Sequence, residues 1–360
     1  MKRDPVSLLF TALAVASLSA AAFSGRAEAP PVGGMTAGAA RAPGAAGQAL
    51  PGHDAAKPSD IPARGWWAIA KRVAAKISSD RLLTEAAGIT FYALLAFFPA
   101  LTAMVSLYGL VADPATISDN LDALSGVVPG GGMQIISDQV HSLTANGSKA
   151  LGFAALLGLV TSLWSANQGT KALFDALNVV YAETEKRGFL LRTAVTLAFT
   201  LGGIVFVLLA LTAVVAVPVV LNFVGLGGVA DPLLRILRWP LMLVALAALL
   251  ACIYRFGPSR ERARWQWVSW GGGFAAVAWV AGSIAFSYYV SHFGSYDKTY
   301  GSLGAAVGFL TWIWLSATIV LIGAELNAET EQQTARDTTT GPEQAPGRRG
   351  ATKADAVAAA

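Results

Sequence analysis

Residues 299–324 carry no charged side chain, and the run stops at Glu325. A helix needs about 20 apolar residues to cross the hydrocarbon of a bilayer. Five earlier runs share this character: 86–111, 151–170, 193–221, 233–254 and 265–290. Only 233–254 holds charges, Arg235 and Arg238, and both fall in its first turns. A charge at mid-membrane costs about 2.5–3.5 kcal/mol on insertion scales. Six such runs in one chain therefore predict an all-α fold: a polytopic membrane protein with six transmembrane helices. Composition points the same way, since 13% of residues are charged against about 25% in an ordinary soluble domain. Pro99 lies inside the first run and is expected to kink or divide that helix. The single cysteine, Cys252, sits in the fourth run and has no partner for an intrachain disulfide.

The flanks have a different character. Residues 1–24 resemble a signal peptide, with a basic start, an apolar middle and an A-x-A-like site at Ala27-Glu28-Ala29. Residues 25–63 are rich in Ala, Gly and Pro without helical or strand period, and are expected to be a disordered linker. Residues 64–85 set Trp66, Trp67, Ala70, Val73, Ala74 and Ile77 at three-to-four spacing against Arg64, Lys71, Arg72, Lys76 and Arg81. That pattern predicts a basic amphipathic helix lying in the membrane interface. Residues 86–326 then form the membrane domain, and the polar, low-complexity tail 327–360 is expected to be disordered and cytoplasmic.

Basic residues alternate from one connection to the next. Arg64 to Arg81 precede the first run. Lys171, Lys186, Arg187 and Arg192 lie between the second and third, and Arg255, Arg260, Arg262 and Arg264 between the fourth and fifth. The connection 112–149 has Lys149 against Asp113, Asp119, Asp122 and Asp138. By the positive-inside rule both ends of the six-helix unit are cytoplasmic. The turn 296–300 then faces outside and Glu325 lies at the inner surface. A cleaved signal peptide, or an extra helix at 1–24, would place 64–85 on the wrong side. Residues 1–24 are therefore expected either to precede the true start or not to insert.

Several polar groups interrupt the apolar pattern. Trp164, Asn167, Gln168, Lys171, Asp175 and Asn178 fall on one helical face, and Lys171 and Asp175 have the i, i+4 spacing of an ion pair. Polar groups at membrane depth face the bundle interior or a water-filled cavity. The stripe reads either as a polar lining or as a helix end whose amides tie neighbouring helices together. Glu325 reads as a proton or ion site, or as the partner of a basic loop residue such as Arg255 or Arg264. Gly304-x-x-x-Gly308 has the spacing of a close helix contact, and the cluster 271–273 has the same use. The three histidines, His53, His141 and His292, form no cluster with carboxylates at metal-ligand spacing. No phosphate loop or nucleophile elbow stands in its proper context.

Four stretches together resemble the YihY/virulence factor BrkB family. They are residues 86–99 (AAGITFYALLAFFP), 163–181 with its Trp-Ser-Ala-Asn and Ala-Leu-Asn-x-x-Tyr elements, Tyr254-Arg255-Phe256-Gly257-Pro258, and the hairpin 286–327 with Tyr-Gly-Ser-Leu-Gly and Gly-Ala-Glu-Leu-Asn. The resemblance covers about 80–329 and implies an inner-membrane protein of six helices with cytoplasmic ends. It also brings an older label, ribonuclease BN, and links to envelope and lipid handling. The residues supply no paired metal-binding carboxylates and histidines for RNA hydrolysis, so no enzyme activity, cofactor or nucleic-acid partner is expected. The expected partners are the lipid bilayer and a lipid or envelope substrate, moved by a transporter or flippase-like factor. The alternative is a non-transporting membrane scaffold, and the third reading is the ribonuclease. Homo-oligomerisation is left open.

Overall fold

The structure is a computed structural model that describes residues 51–111, 148–211, 227–293 and 303–358. Eight α-helices account for most of these residues, and among them the only strand-like pairing is one isolated antiparallel bridge between Ala263 and Thr339. Residues 1–50, the connection 112–147 with its four aspartates and His141, and the turn 294–302 lie outside the described residues.

The chain order follows the apolar runs. Helix α1 (Ala63–Ser79) is short and basic. Six long helices follow: α2 (Leu82–Val111), α3 (Ser148–Val180), α4 (Phe189–Leu211), α5 (Gly227–Phe256), α6 (Trp265–Phe293) and α7 (Leu303–Gln332). A four-residue turn of helix, α8 (Thr352–Asp355), lies near the end of the chain. Among the described residues three segments are long and apolar enough to cross a membrane: Phe189–Val207, Trp265–Val290 and Ala306–Gln332. Leu82–Phe97 and Pro240–Phe256 are shorter apolar stretches. The second half of α3 carries the polar run from Ser165 to Lys171, which lowers its hydropathy.

Local chemistry sets several boundaries. The helix expected over 64–85 ends earlier, because Arg81 takes a left-handed φ of 53° and separates α1 from α2. Pro99 sits inside α2 without dividing it. Proline removes one donor from the helix ladder, and the helix continues to Val111.

Close helix contact falls where backbone meets backbone. A Cβ at Gly271 would run into the Gly323 carbonyl, and one at Gly323 would stand 2.6 Å from the Tyr254 hydroxyl. Gly271 and Gly323 therefore make the close crossing of α6 and α7. Among the described residues nothing lies within 4 Å of where a Cβ at Gly308 would be, so none of them makes the close contact expected there. Beside that crossing, Phe174, Leu177, Tyr181, Tyr254, Val268 and Leu321 form a buried core that joins α3, α5, α6 and α7. The Tyr254 hydroxyl donates to the Val320 carbonyl at 2.7 Å.

Both flanks read as disordered contain ordered structure. Residues 51–62 include a 3-10 turn at Pro58–Asp60, with Ala55 and Ile61 buried against Ile69, Val73 and Trp267. Beyond α7 the chain folds back. The Ala335 amide donates to the His53 carbonyl at 2.8 Å, and the Thr334 hydroxyl to the Ala55 carbonyl at 2.8 Å. The Arg264 amide donates to the Thr338 carbonyl, and the Thr340 amide to the Arg262 carbonyl. Hydrogen bonds hold the returning tail, and isolated apolar side chains such as Ala55 and Ile61 seat residues 51–62. Neither segment has an apolar period, so composition alone reads them as unstructured.

Candidate functional site

Three pieces of chain converge on one end of the bundle: the connection 181–188, the connection 257–264, and the tail after α7. The Asn178 amide oxygen accepts from the Ser259 amide at 2.7 Å, and the Lys186 amide donates to the Ser259 hydroxyl at 2.9 Å. Arg187 donates to both oxygens of Glu185, at 2.8 and 3.0 Å, and to the Gly257 carbonyl at 2.6 Å. The Glu183 carboxylate accepts from the Thr352 amide at 2.6 Å. Burial pushes the Glu185 carboxyl up, but the hydrogen bonds and charge of Arg187 outweigh it and hold the group down at about 2.

At the centre of this end is an ionic cluster built on the last turns of α7. Arg72, from α1, donates to Glu329 at 2.6 Å and to Gln333 at 2.7 Å. Lys353, from α8, reaches the other Glu329 oxygen at 2.7 Å. Arg260 holds Glu331 through two bonds of 2.8 Å, and both side chains are fully buried. The Arg260 guanidinium also lies 4.1 Å from the centre of the Tyr181 ring. Glu325, one turn before Glu329, is fully buried, and neither of its oxygens takes a hydrogen bond from the protein. Lys353 Nζ stands 3.8 Å from its Oε1.

The pairing expected between Glu325 and Arg255 is not made. Arg255 donates to the Ala263 carbonyl and lies over the Trp265 ring at 4.5 Å. Arg264 donates to the Thr339 carbonyl at 2.9 Å. Glu325 faces a lysine of the tail instead, a residue that composition placed in an unstructured segment. Asn327 has a packing role: its oxygen accepts from the Gly271 amide at 2.7 Å and its nitrogen donates to the Val268 carbonyl at 3.1 Å.

The polar stripe of α3 divides along its length. Asn167 and Asn178 are buried, Gln168 and Lys171 are half-buried, and Trp164 and Asp175 face outward. The Asn167 side-chain oxygen is buried without a hydrogen-bond partner from the protein. Lys171 and Asp175 do not pair. Lys171 lies over the Phe189 ring at 5.7 Å, and Asp175 accepts from Arg192 at 2.6 and 2.7 Å. The Thr170 and Thr200 hydroxyls, 2.8 Å apart, join α3 to α4. Gly304 is the second residue of α7, and its surroundings lie outside the described side chains.

Sequence reasoning singled out Asn167, Asn178 and Glu325, all of which are buried, and did not bring Arg72, Arg260, Glu329, Glu331 and Lys353 together as a set. The available signal was the spacing Glu325, Glu329 on α7, one turn apart on one helical face. Among the described residues no group of three or more His, Cys, Asp or Glu side chains is placed to hold a metal ion.

Long apolar helices around a core, with buried charges gathered at one end, define a multi-helix membrane protein. The chain belongs to the virulence factor BrkB family, whose profile matches residues 73–348. It is 34% identical over 258 residues to a UPF0761 membrane protein of Chromohalobacter salexigens, covering 68% of this chain and 59% of the relative. A UPF0761 membrane protein of Ralstonia nicotianae is 30% identical over 266 residues, covering 70% of this chain and 56% of the relative. The chain thus spans little more than half the length of these two. A Bacillus subtilis protein whose name, YfkH, carries the words ribonuclease-like is 27% identical over 249 residues, covering 68% of this chain and 88% of the relative. No solved structure matches the chain significantly.

Proposed function

We propose that this protein is a bacterial inner-membrane factor with six spanning helices that moves a lipid or envelope component. In this reading α1, the connections 181–188 and 257–264 and the tail are cytoplasmic, and α1 lies along the inner membrane surface. Two facts support the sidedness. These are the pieces that carry the basic residues, and they meet at one end of the bundle through the hydrogen bonds described above. The exposed Trp67 and Lys71 of α1, with Ile69 and Val73 buried on its other side, suit an interfacial helix.

One observation carries the transport reading: the Asn167 oxygen is buried without a protein partner in a helix of mostly apolar residues. Leaving such a group unsatisfied costs about 1–3 kcal/mol, and polar groups at membrane depth mark substrate and ion paths. The test is flux of a labelled phospholipid in vesicles holding the purified protein. Flux that the Asn167→Leu substitution abolishes would support the reading. Vesicles with no flux beyond the lipid background would overturn it. A ribonuclease reading draws on the older family label and on the name of the Bacillus relative. Cleavage of a precursor tRNA by the purified chain, lost on a point substitution, would favour it instead.

A further inference from the structure

At the ionic end of the bundle, Arg72, Arg187, Arg192 and Arg260 each reach a carboxylate. Arg255 and Arg262 are different: neither forms an ion pair among the described residues. Both guanidiniums nonetheless converge on one ring. The Arg255 carbon lies 5.5 Å, and the Arg262 carbon 5.2 Å, from the centre of Phe256. Trp265 adds a second face, with its ring 4.5 Å from Arg255 and 6.1 Å from Phe256.

The backbone fixes this arrangement. Arg255 donates through Nη1 to the Ala263 carbonyl, which anchors the guanidinium between the two rings. Ala263 is bridged to Thr339 of the tail, and the Arg262 carbonyl accepts from the Thr340 amide at 2.9 Å and from its hydroxyl at 3.2 Å. Arg262 therefore projects from a braced turn, and its side chain is exposed. Two like charges held over one ring repel each other, and the aromatic faces offset only part of that repulsion. An anionic group seated between them would relieve that repulsion, and the single negative charge of a phosphodiester would offset one of the two. Planar guanidinium forks match phosphate oxygens in geometry.

The place in the fold names the source of the phosphate. Phe256 is the last residue of α5 and Trp265 the first of α6. Trp265 and Trp270 are both about half exposed, as tryptophans are where helices leave a membrane. Basic pockets at that level take anionic lipid headgroups.

We propose that Arg255 and Arg262, with Phe256 and Trp265, form a binding site for the phosphate of an anionic phospholipid headgroup. The site rests on the membrane reading for the source of its ligand and does not depend on transport. The test uses the full chain in neutral detergent, titrated with short-chain phosphatidylglycerol, phosphatidylcholine of equal chain length, and inorganic phosphate. Wild type is expected to prefer phosphatidylglycerol by about tenfold or more. The double substitution Arg255→Gln, Arg262→Gln should remove that preference, while Arg348→Gln, which deletes one exposed charge elsewhere, should keep it. Size-exclusion profile and helical ellipticity report folding. Should the double variant aggregate, Arg262→Gln carries the test, because its side chain is exposed, and should weaken phosphatidylglycerol binding by about threefold or more. An unchanged preference in the folded variants, or none in wild type, overturns the site. Inorganic phosphate binding as tightly as phosphatidylglycerol overturns the lipid as the source and leaves a phosphate site. Extraction of the chain from cell membranes by alkaline carbonate would refute the membrane reading separately.

Discussion

Arg72 Nε lies 2.6 Å from Glu329 Oε2, so the helix before the bundle is tied by a charge pair to the last helix of the bundle. Glu329 is almost fully buried, whereas Arg72 keeps about a quarter of its side chain exposed. Glu329 also holds the buried Lys353 at 2.7 Å, so it joins α1, α7 and the tail at one point.

Replacing Glu329 by Ala leaves two cations without their shared anion. Removing one partner of a buried pair costs about 3–5 kcal/mol. Arg72→Ala should cost less, because solvent screens the exposed part of that pair. Thermal unfolding in detergent should rank Glu329→Ala well below Arg72→Ala, and equal losses would contradict the geometry.

Lys353 is the contact between the tail and Glu325 with Glu329. Lys353→Met keeps the length of the side chain and removes its charge. The tail should then open more often. Amide exchange at Ala335 and Thr340, which donate to His53 and Arg262 carbonyls, should rise while exchange in α6 stays unchanged. Exchange unaltered at both amides would show that the tail is held independently of the ionic cluster.

Glu185 gives a pH signature. Its folded pKa, about 2, is below the ordinary value of 4.5. A depressed carboxyl contributes stability that is complete above the unfolded value and lost as pH falls through the folded one. Stability should therefore decline from about pH 4.5 toward pH 2, through this group among others. Arg187→Gln should flatten that part of the profile, since the two hydrogen bonds that hold the carboxylate ionised are gone. A profile parallel to wild type would show that Glu185 is held down by something else.

The α6–α7 crossing separates glycines that matter from those that do not. Gly271→Ala places a methyl group against the Gly323 carbonyl and Asn327. Overpacking of this kind costs about 1–3 kcal/mol. Gly308→Ala meets no atom of the described residues within 4 Å and should leave thermal stability within about 0.5 kcal/mol of wild type. Similar losses at both positions would contradict the assignment of the crossing.

Much of the helical order was legible because charge is excluded from long runs and returns at their ends. The ionic end was not. Its donors and acceptors come from α1, two connections and the tail, and pairs such as Arg72 with Glu329 are separated by most of the chain. No local period records such pairs. The tail was misread for a related reason, since carbonyls, threonine hydroxyls and one lysine hold it in place of an apolar face. The α3 stripe shows how fine the limit is. Trp164 and Asp175 are eleven residues apart, as are Asn167 and Asn178, and eleven residues make close to three helical turns. The stripe thus has two edges. The first pair faces outward and the second is buried, a distinction that depends on where α2, α4 and α7 pack against α3 and that spacing alone does not contain.

Asn167 separates a structural amide from a working one. If its only role is packing, replacing it by an apolar residue of similar size removes an unpartnered oxygen, and the protein gains stability or keeps what it has. Nothing else should change. If the oxygen faces a transported headgroup, Asn167→Leu should keep or raise the unfolding temperature and yet abolish lipid flux in vesicles. Asn167→Asp should depress stability, because a buried carboxylate in an apolar helix costs more than an amide. The two readouts have to move apart for the transport reading to hold. Flux unchanged in a stable Asn167→Leu protein would make Asn167 a packing residue and move the path away from it, and flux lost only together with stability would remove the support that Asn167 gives the transport reading.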